Sequence, residues 1–374
     1  MDTRPAWAEI DLAAVSHNLK ELRRIIRPDA KIMAVVKANA YGHGAVPVSR
    51  TVLKNGADYL GVAILSEVRQ LREADINAPI LILGYTPAEQ VTDVIRLEAA
   101  QTVFDCAAAE AISQVAVKLG KKARIHVKVD TGLGRLGFPA DAGTAQEILR
   151  ISRLPGVEVE GLFTHFSVAG SKNKDYTYWQ YARFKELVTR LTDMGLDIPI
   201  KHVANSAAVI DLPDVQLDMV RVGVSIYGLY PSDEILKNKV KLIPALTWKA
   251  QVVQVKAVPA QSSISYGRTF ITDKETKVAT IPVGYADGYS RLLSNRAHVI
   301  IHGQRVPVIG TVCMDQFMVD VSGAPDVRAG DEVILIGRQG SQQVTADELA
   351  ELMGTINYEI VCMVGSRIPR IHIN

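Results

Sequence analysis

The fold class is decided by residues 31–85, which read KIMAVVKANAYGHGAVPVSRTVLKNGADYLGVAILSEVRQLREADINAPILILGY. This stretch contains three short apolar runs of the kind typical of buried β-strands, KIMAVVKAN (31–39), YLGVAI (59–64) and ILILGY (80–85). Between the second and third runs lies LSEVRQLREADI, whose apolar residues recur every three or four positions, as on an amphipathic helix. Buried strands that alternate with helices predict a parallel sheet covered by helices.

The same alternation continues to about residue 230. Five further apolar runs follow, QTVFD (101–105), RIHVKVD (124–130), VEVEGLFTH (157–165), IKHVAN (200–205) and DMVRVG (218–223). Eight strand–helix units in this length predict an α/β fold, a closed (β/α)8 TIM-like barrel. An open doubly wound sheet is the alternative, but no GxGxxG motif follows the first strand.

The sequence changes character after about residue 240. Runs such as LTWKAQVVQVKAV, TKVATIPVGYADGY and DEVILIGR are β-rich and are separated by Gly, Pro, Asp or Asn turns. TADELAELMG is the one clear helical segment there, and Thr345 is its expected N-cap. We therefore expect two domains, a barrel over 1–235 and a C-terminal, mainly β domain over 236–374, with the linker within 230–241.

Composition and charge favour a protein that acts on small molecules. Lys and Arg number 42 against 40 Asp and Glu, the formal net charge is +2, and no basic stripe indicates a nucleic-acid surface. No apolar run is long enough for a membrane span or a signal peptide. The cysteines, Cys106, Cys313 and Cys362, form no CxxC pair. We expect a cytoplasmic protein with no metal, no nucleic acid and no membrane as partner, and with Cys106 and Cys362 buried.

Polar side chains collect where the predicted strands end, and the active site of a (β/α)8 barrel lies at the carboxyl ends of its strands. These residues are Lys37, Lys128, Asp130, His165, Asn205, Ser206, Arg221 and Gly223. We expect them to line one mouth. The small residues of ANSAA and RVGVSIYG, after strands 7 and 8, are suited to binding a phosphate through backbone N–H groups, although tight packing is an alternative interpretation.

Lys37 has two interpretations at this stage. A lysine at the inner end of an apolar strand is costly as a cation, and the resulting fall in its pKa makes it a candidate for Schiff-base formation. A salt bridge at the rim of the barrel is the other interpretation. His43 and His202 are assigned no role, and Cys313 has no evident base partner.

Seven motifs then occur in order along the chain, AVVKANAYGHG, VKVDTGLGRLGF, HVANSAA, VRVGVSIYG, SYGRTF, GYADGY and CMDQFMVDV. With these motifs the sequence resembles the alanine racemase family from end to end. The lysine motif alone is shared by other barrel-type pyridoxal-phosphate (PLP) enzymes, whereas SYGRTF and CMDQ in a following β domain are more specific. The resemblance implies a PLP enzyme that interconverts L- and D-alanine and supplies D-alanine for peptidoglycan synthesis. It also implies a homodimer with shared active sites.

The resemblance further implies roles for individual residues. Lys37 and Tyr266 are the two catalytic bases, with PLP on Lys37 as a Schiff base and Tyr266 reaching the site from the partner subunit. The residues implied in cofactor binding are Lys37, Tyr41, His165, Asn205, Ser206, Arg221, Gly223, Val224 and Tyr358. Those implied around the substrate are Arg135 and Met314, with Tyr285 at the entrance and with Asp315 and a carbamylated Lys128 in support.

The chemistry explains why these residue types are needed. Removing the α-proton of an amino acid leaves a negative charge that PLP delocalises, and inversion requires one base on each face of the planar centre. A free tyrosine titrates near ~10, so Tyr266 needs a cation, relayed from Arg221 through His165. Arginine keeps its proton, which leaves the pyridine nitrogen of the cofactor unprotonated and makes transamination less favourable.

Lys128 alternates with His126 and Asp130, so the three side chains point to the same side of their strand. A bare ammonium group on an interior face is costly. Carbamylation, as the resemblance implies, converts it to an anion that orients Arg135. An arrangement of Lys128 with Asp130 or Arg135 through water is the alternative.

Three other functions compete with this interpretation. A barrel-type PLP decarboxylase carries a carboxylate where this chain has Arg221, and HFSVAG lacks its glycine triplet. A racemase of broader specificity that accepts serine depends on loops whose positions the sequence does not define. A non-catalytic PLP carrier of the barrel type generally has no β domain, whereas this chain continues to residue 374.

Overall fold

The computed structural model of the protein describes residues 5–374. These residues fall into two compact units. The barrel unit consists of Ala14–Ala40 and Ala45–Ile243, and the β unit consists of the N-terminal residues up to Ala13, Tyr41–Gly44 and Pro244–Asn374. Each unit is therefore built from more than one segment of the chain.

The barrel unit contains a nine-stranded parallel sheet, in which eight strands follow one another around the barrel and a short ninth strand lies beside them. Strand β1 (Ala6–Asp11) precedes it in the chain and belongs to the β unit. The strands that follow are β2 (Lys31–Val35), β3 (Tyr59–Val62), β4 (Ile80–Ile82), β5 (Ala100–Val103), β6 (Ala123–Asp130), the short β7 (Phe138–Pro139), β8 (Val157–Phe163), β9 (Ile200–His202) and β10 (Met219–Val222). Their order is β10-β2-β3-β4-β5-β6-β8-β9, with β7 paired to β6.

The two ends of this sheet approach each other and nearly close the barrel. The Arg221 N–H donates to the Ala204 carbonyl at 2.9 Å, and the Asp218 N–H donates to the Lys201 carbonyl at 3.1 Å, which joins β10 to the β9 segment. The interior is filled by side chains, as in other barrels of this size. One such buried cluster consists of Met33, Tyr59, Leu81, Ala100, Ile200 and Met219. The predicted (β/α)8 barrel is thus confirmed.

Helices connect the strands of the barrel. They are α1 (Leu12–Ile25), α2 (Ala45–Lys54), α3 (Leu65–Glu73), α4 (Val91–Arg96), α5 (Cys106–Leu119), α6 (Ala142–Ser152), α7 (Asp175–Asp193) and α8 (Ser206–Asp211). The side chains of Asp105, Asp141 and Asn205 accept hydrogen bonds from backbone N–H groups at the starts of α5, α6 and α8. These caps satisfy N–H groups that have no partner within the helix.

The β unit is mainly β-structure, as the sequence predicts. Its strands are β1 together with β11 (Leu246–Gln251), β12 (Gln254–Val258), β13 (Ser263–Ile264), β14 (Phe270–Ile271), β15 (Thr276–Ile281), β16 (His298–Ile301), β17 (Gln304–Ile309), β18 (Phe317–Asp320), β19 (Glu332–Gln339), β20 (Gln342–Val344) and β21 (Arg370–Ile373). Ten of them form one sheet along the path β12-β15-β18-β17-β16-β19-β11-β1-β21, with β20 beside β19, and β13 and β14 form a separate hairpin.

Two helices accompany this sheet, α9 (Ala346–Met353) and α10 (Asn357–Met363). The Thr345 hydroxyl accepts a hydrogen bond from the Glu348 N–H at 2.9 Å, which confirms Thr345 as the N-cap of α9. Within residues 5–374, no helix combines the length and the apolar character needed to cross a bilayer.

Strand β1 differs from the expected organisation, which placed the N-terminal residues with the barrel. It pairs antiparallel with β11 and parallel with β21 in the sheet of the β unit. The reason is its alternating burial, in which Ala6, Ala8 and Ile10 are buried and the residues between them are partly exposed. This period of two suits a sheet that is covered on one face.

The expected burial of two thiols is wrong, since Cys106 is only partly buried and Cys362 is exposed.

Candidate active site

Lys37 directly precedes a strained turn at the end of β2. Ala38, Asn39, Ala40 and Tyr41 all adopt left-handed backbone conformations, with φ of 53°, 53°, 53° and 52°. A left-handed conformation costs a residue other than glycine roughly 1–2 kcal/mol, and such strain is concentrated at functional sites. The strained turn therefore marks the segment that follows Lys37 as part of a candidate functional site.

Two side chains hold this turn through hydrogen bonds, and the sequence alone assigned a role in the site to neither of them. The Glu67 carboxylate accepts hydrogen bonds from the Ala38 N–H at 2.6 Å and from the Ala63 N–H at 2.7 Å, which joins the segments that follow β2 and β3. The Asn39 side chain accepts a hydrogen bond from the Ala45 N–H at 2.8 Å, at the start of α2. Glu67 is the third residue of α3, so its sequence position indicates only a helix start.

Lys128 is buried on β6 and is 4% exposed. In the part of the chain that the structure describes, no hydrogen bond or ion pair reaches its Nζ atom, which lies 5.3 Å from the centre of the Phe163 ring. Burial, together with the charges of Arg135 and Arg221, lowers the pKa of Lys128 to about 7. A large fraction of this amine is therefore unprotonated, and hence nucleophilic, at neutral pH.

Asp130 does not form an ion pair with Lys128 but forms hydrogen bonds to the backbone of the following loop. Its carboxylate accepts hydrogen bonds from the Gly132 and Leu133 N–H groups at 2.8 Å each and from the Arg135 N–H at 2.9 Å. The direct arrangement of Lys128 with Asp130 is thus not the one observed. The exposed Arg135 side chain extends from a loop that Asp130 holds in place.

Arg221 is a buried cation at the end of β10, only 4% exposed. Its guanidinium donates to Nδ1 of His165 at 3.1 Å, to Nδ1 of His202 at 2.9 Å, and to the carbonyls of Thr164 and His202 at 2.8 and 2.9 Å. Burial, and secondly the charge of Arg135, lower the pKa of Arg221 to about 9, so it stays protonated at neutral pH. His202, to which the sequence assigned no role, is therefore part of the site.

These contacts define the protonation of His165. Burial of the ring and the adjacent Arg221 cation hold the pKa of His165 well below its usual range, so the imidazole is neutral. Because Nδ1 accepts from Arg221, the single ring proton lies on Nε2. His165 therefore presents an N–H donor on the side of the ring that faces away from Arg221.

The segments that follow β9 and β10 lie side by side. The Ser206 hydroxyl, 4% exposed, accepts a hydrogen bond from the Gly223 N–H at 2.9 Å, and Asn205 caps α8. Val224 begins a short 3-10 turn, Val224–Tyr227. The structure thus brings Asn205, Ser206, Gly223 and Val224 together.

The β unit holds the remaining predicted residues in two groups. In the first, Tyr41 and Tyr358 lie with ring centroids 6.2 Å apart. Burial raises the pKa of Tyr358 to about 12 and also raises the pKa of Tyr41. Both phenols are therefore neutral at physiological pH and keep the proton with which a phenol can donate a hydrogen bond.

Tyr266 and its neighbours form the second group. Tyr266 lies in the loop between β13 and β14, is 71% exposed, and accepts a hydrogen bond at its carbonyl from the Thr311 hydroxyl at 2.9 Å. The Tyr285 and Ala286 N–H groups donate to the carbonyls of Cys313 and Met314, at 3.0 Å each, so these two loops are joined. Asp315 forms an ion pair with Arg367 at 2.6 Å.

Basic side chains are concentrated at the carboxyl ends of the strands in the barrel unit. Arg221, Arg135 and, when protonated, Lys128 and Lys37 all contribute to the lowered pKa of His165, so the four basic side chains lie within electrostatic reach of one ring. A cluster of cations at the carboxyl ends of barrel strands is suited to an anionic ligand, such as a phosphate or a carboxylate.

Known proteins share this architecture. The family model described as alanine racemase, N-terminal domain, matches residues 10–231, and the one described as alanine racemase, C-terminal domain, matches residues 245–372. The alanine racemase of Clostridium perfringens (strain SM101) is 53% identical over 369 residues, which cover 99% of this chain and 95% of the relative. The alanine racemase structure from Clostridium difficile 630 superimposes with a TM-score of 0.96 at 42% identity, covering 100% of this chain and 97% of that one.

A (β/α)8 barrel with a strand-end lysine and a buried arginine, followed by a mainly β domain, is the architecture of the two-domain barrel racemases, a class of isomerases. Within this class the chain belongs to the alanine racemase family, since both family models and the close relatives span nearly its whole length. The protein is therefore an enzyme of the amino-acid racemase type.

Proposed function

We propose that the protein interconverts L- and D-alanine with pyridoxal 5'-phosphate as its cofactor, by a mechanism with two bases, Lys37 and Tyr266. The observation that carries the proposal is the contact between Arg221 and His165 at the barrel end that also holds Lys37. Burying a cation without a carboxylate neighbour is costly in free energy. A site that contains such a cation is therefore one in which a fixed positive charge contributes to function.

The side chains present fit this cofactor. The Ser206 hydroxyl, which accepts from the Gly223 N–H and can itself donate, and the backbone at the start of the turn at Val224 offer small residues and donors for a phosphate. Lys37 would hold the cofactor through its amine, and Arg221 would donate to the pyridine nitrogen. Bound PLP delocalises the negative charge that develops when the α-proton is removed. Asn205, Tyr41 and Tyr358 complete the proposed cofactor site.

The protein groups then carry the proton steps. The Lys37 amine removes or returns the α-proton on one face of the substrate, and the Tyr266 phenol does so on the other face. His165 donates from Nε2 to the Tyr266 oxygen and stabilises its phenolate form, while Arg221 stays protonated and holds the tautomer of His165. Arg135 and the Met314 N–H bind the substrate carboxylate, with Tyr285 and Asp315 beside them.

Tyr266 serves the partner subunit in this proposal. An aromatic side chain that is 71% exposed in one chain is suited to being covered by a second chain. We therefore propose a homodimer in which each active site combines Lys37 of one subunit with Tyr266 of the other. The proposal includes a cytoplasmic location and a role in supplying D-alanine for peptidoglycan.

Lys128 is proposed to be carbamylated. Carbamylation forms an N–C bond between an unprotonated amine and carbon dioxide and releases one N–H proton to solvent, and the pKa of about 7, caused mainly by burial, makes the unprotonated amine accessible at neutral pH. The product is an anion among the cations of Arg135 and Arg221, which removes the cost of a bare ammonium group. A crystal grown at neutral pH should show extra density on Nζ, and a clean lysine under those conditions would contradict the modification.

Two inactive variants test the function. Lys37→Ala should lose the visible absorbance of the bound cofactor, whereas Tyr266→Ala should keep this absorbance and lose racemisation by a factor of about 10²–10⁴, the usual contribution of one general base. The assay is conversion of each alanine enantiomer, with serine, lysine and ornithine as alternative substrates. Release of carbon dioxide, or a failure to exchange the α-hydrogen of alanine with solvent, would contradict the proposal.

Mixing the two variants tests the shared sites. A heterodimer of Lys37→Ala and Tyr266→Ala subunits contains one site with both bases, so activity should return on mixing. Lack of activity in a mixture whose subunits have demonstrably exchanged would show that each chain uses its own Tyr266.

A further inference from the structure

A continuous chain of hydrogen bonds leads from Arg221 into the interior of the barrel. Beyond His202, the Nε2 atom of His202 lies 2.9 Å from Nδ1 of His126, and Nε2 of His126 lies 2.9 Å from a carboxylate oxygen of Glu160. The Tyr59 hydroxyl donates to the other carboxylate oxygen at 2.8 Å. Both imidazoles are completely buried. The proposed mechanism gives no task to His126, Glu160 or Tyr59.

This chain runs from one end of the barrel to the other. Arg221 and His202 lie near the carboxyl ends of β10 and β9, whereas Tyr59 is the first residue of β3 and Arg124, 3.8 Å from Glu160, is the second of β6. Because the strands are parallel, the chain connects the active-site end to the amino-terminal end of the barrel. The carboxylate of Glu160 therefore lies beyond two imidazole rings from Arg221.

Each bond in the chain has only one consistent direction. Arg221 can only donate, so Nδ1 of His202 accepts and its ring proton lies on Nε2. This proton is donated to Nδ1 of His126, whose own proton then lies on Nε2 and is donated to Glu160. Burial lowers the pKa of both histidines, so each ring carries one proton. Burial alone would raise the pKa of Glu160, but hydrogen bonds from His126 and Tyr59 lower it overall, so it is an anion that accepts and cannot donate.

The backbone is shaped to bring Glu160 to this position. Ile125 pairs with Val159 and His126 pairs with Gly161, so β8 has one extra residue, Glu160, opposite a single step of β6. Such a β-bulge redirects a side chain. A Cβ atom at Gly161 would lie 2.1 Å from Nδ1 of His126, so only glycine leaves room for the ring. His202 in turn stacks on Phe163, with ring centroids 4.7 Å apart and an interplanar angle of 6°.

We propose that Glu160 is a positioning residue for the active site: as an obligate acceptor at the inner end of the chain it acts with the obligate donor Arg221 at the outer end to hold one direction of hydrogen bonding through His126 and His202, in which Nδ1 of His202 accepts from Arg221. The consequence for activity rests on the proposed function of Arg221. With the direction reversed, His202 would place an N–H against the Arg221 N–H, and the guanidinium would have to move from its place beside His165.

The experiment compares Glu160→Gln with Glu158→Gln, an exposed carboxylate on the same strand. A glutamine has the same shape but can donate as well as accept, so it no longer selects one direction. In ¹⁵N-histidine NMR spectra of the holoenzyme, the unvaried protein and Glu158→Gln should show Nδ1 unprotonated and Nε2 protonated in both His126 and His202. Glu160→Gln should add a second set of signals with the reverse pattern. Its kcat/KM for alanine should fall about tenfold, as expected for a hydrogen bond to a charged group.

Each outcome bears on the proposal. A wild-type spectrum with Nδ1 protonated in either histidine would overturn the proposal. This measurement needs no variant, so it can be made even if the Glu160→Gln chain does not fold. A Glu160→Gln enzyme that keeps the single wild-type pattern, or one that shows both patterns yet matches Glu158→Gln within twofold in kcat/KM, also overturns it. Wild-type enzyme without alanine racemisation would instead contradict the proposed function, because the NMR pattern does not depend on turnover.

Discussion

Removing the Glu67 carboxylate should destabilise the strained turn that follows Lys37. This carboxylate accepts three backbone hydrogen bonds, from Ala38 at 2.6 Å, Ala63 at 2.7 Å and Ile64 at 3.4 Å. Ala38 and Ile64 are exposed, so water replaces much of what their N–H groups lose, whereas Ala63 is partly buried. We therefore expect Glu67→Ala to lower the free energy of unfolding by about 2 kcal/mol, since a hydrogen bond to a charged group contributes roughly 1.5–3 kcal/mol when it is not replaced.

The matching glutamine variant refines this expectation. Glu67→Gln keeps one acceptor oxygen and loses the charge, so its loss should be about half as large, roughly 1 kcal/mol. Glu73→Gln, at the exposed end of the same helix, is the control and should change stability by less than about 0.5 kcal/mol. Urea unfolding followed by circular dichroism measures all three. Dialysis should also remove the cofactor faster from Glu67→Ala, because the turn adjoins Lys37.

If Glu67→Ala proves as stable as Glu73→Gln, the carboxylate contributes nothing to holding the turn. Unchanged stability combined with faster loss of cofactor would refute the explanation as well, because the effect on Lys37 is proposed to act through the stability of the turn.

Two further variants test the interior of the barrel. Gly161→Ala should lower the free energy of unfolding by about 1–3 kcal/mol, because its methyl group meets the His126 ring. The control, Gly143→Ala in the open first turn of α6, should not destabilise the protein. Equal thermal stability of the two variants would contradict the close contact between position 161 and His126. The pKa of Lys128 is about 7 in the folded chain against 10.5 for an ordinary lysine, so the unfolded state binds more protons between these values and stability rises with pH across that window. In buffer free of carbon dioxide, Lys128→Met should therefore stabilise the protein most at pH 7 and below, and urea titrations should show this gain disappearing towards pH 10.5.

The order and type of the barrel elements follow from local sequence. Runs such as YLGVAI are apolar enough to be buried on both faces of a sheet, and each of the eight predicted runs coincides with a barrel strand that begins within one residue of it. The positions of polar residues at the ends of those runs then predict a common mouth, since parallel strands bring their carboxyl ends together. Thr345 was predictable for the same reason, because an N-cap depends on residues three positions apart.

Other features depend on contacts between distant residues. The left-handed turn occurs in KANAY, whose alanines favour an ordinary helix by themselves; Glu67, from a later segment, holds it. Strand β1 joins the sheet of the β unit through β11 and β21, which lie more than two hundred residues away in sequence.

The chain from Arg221 to Glu160 likewise requires four strands and one β-bulge to be in place before its atoms meet. Sequence patterns describe the period and polarity of one segment, whereas hydrogen bonds between segments depend on register and on the side on which each side chain emerges. The barrel and its lysine were therefore predictable from the chain, whereas the partners that hold Lys37 and Arg221 in position became visible only in the folded protein.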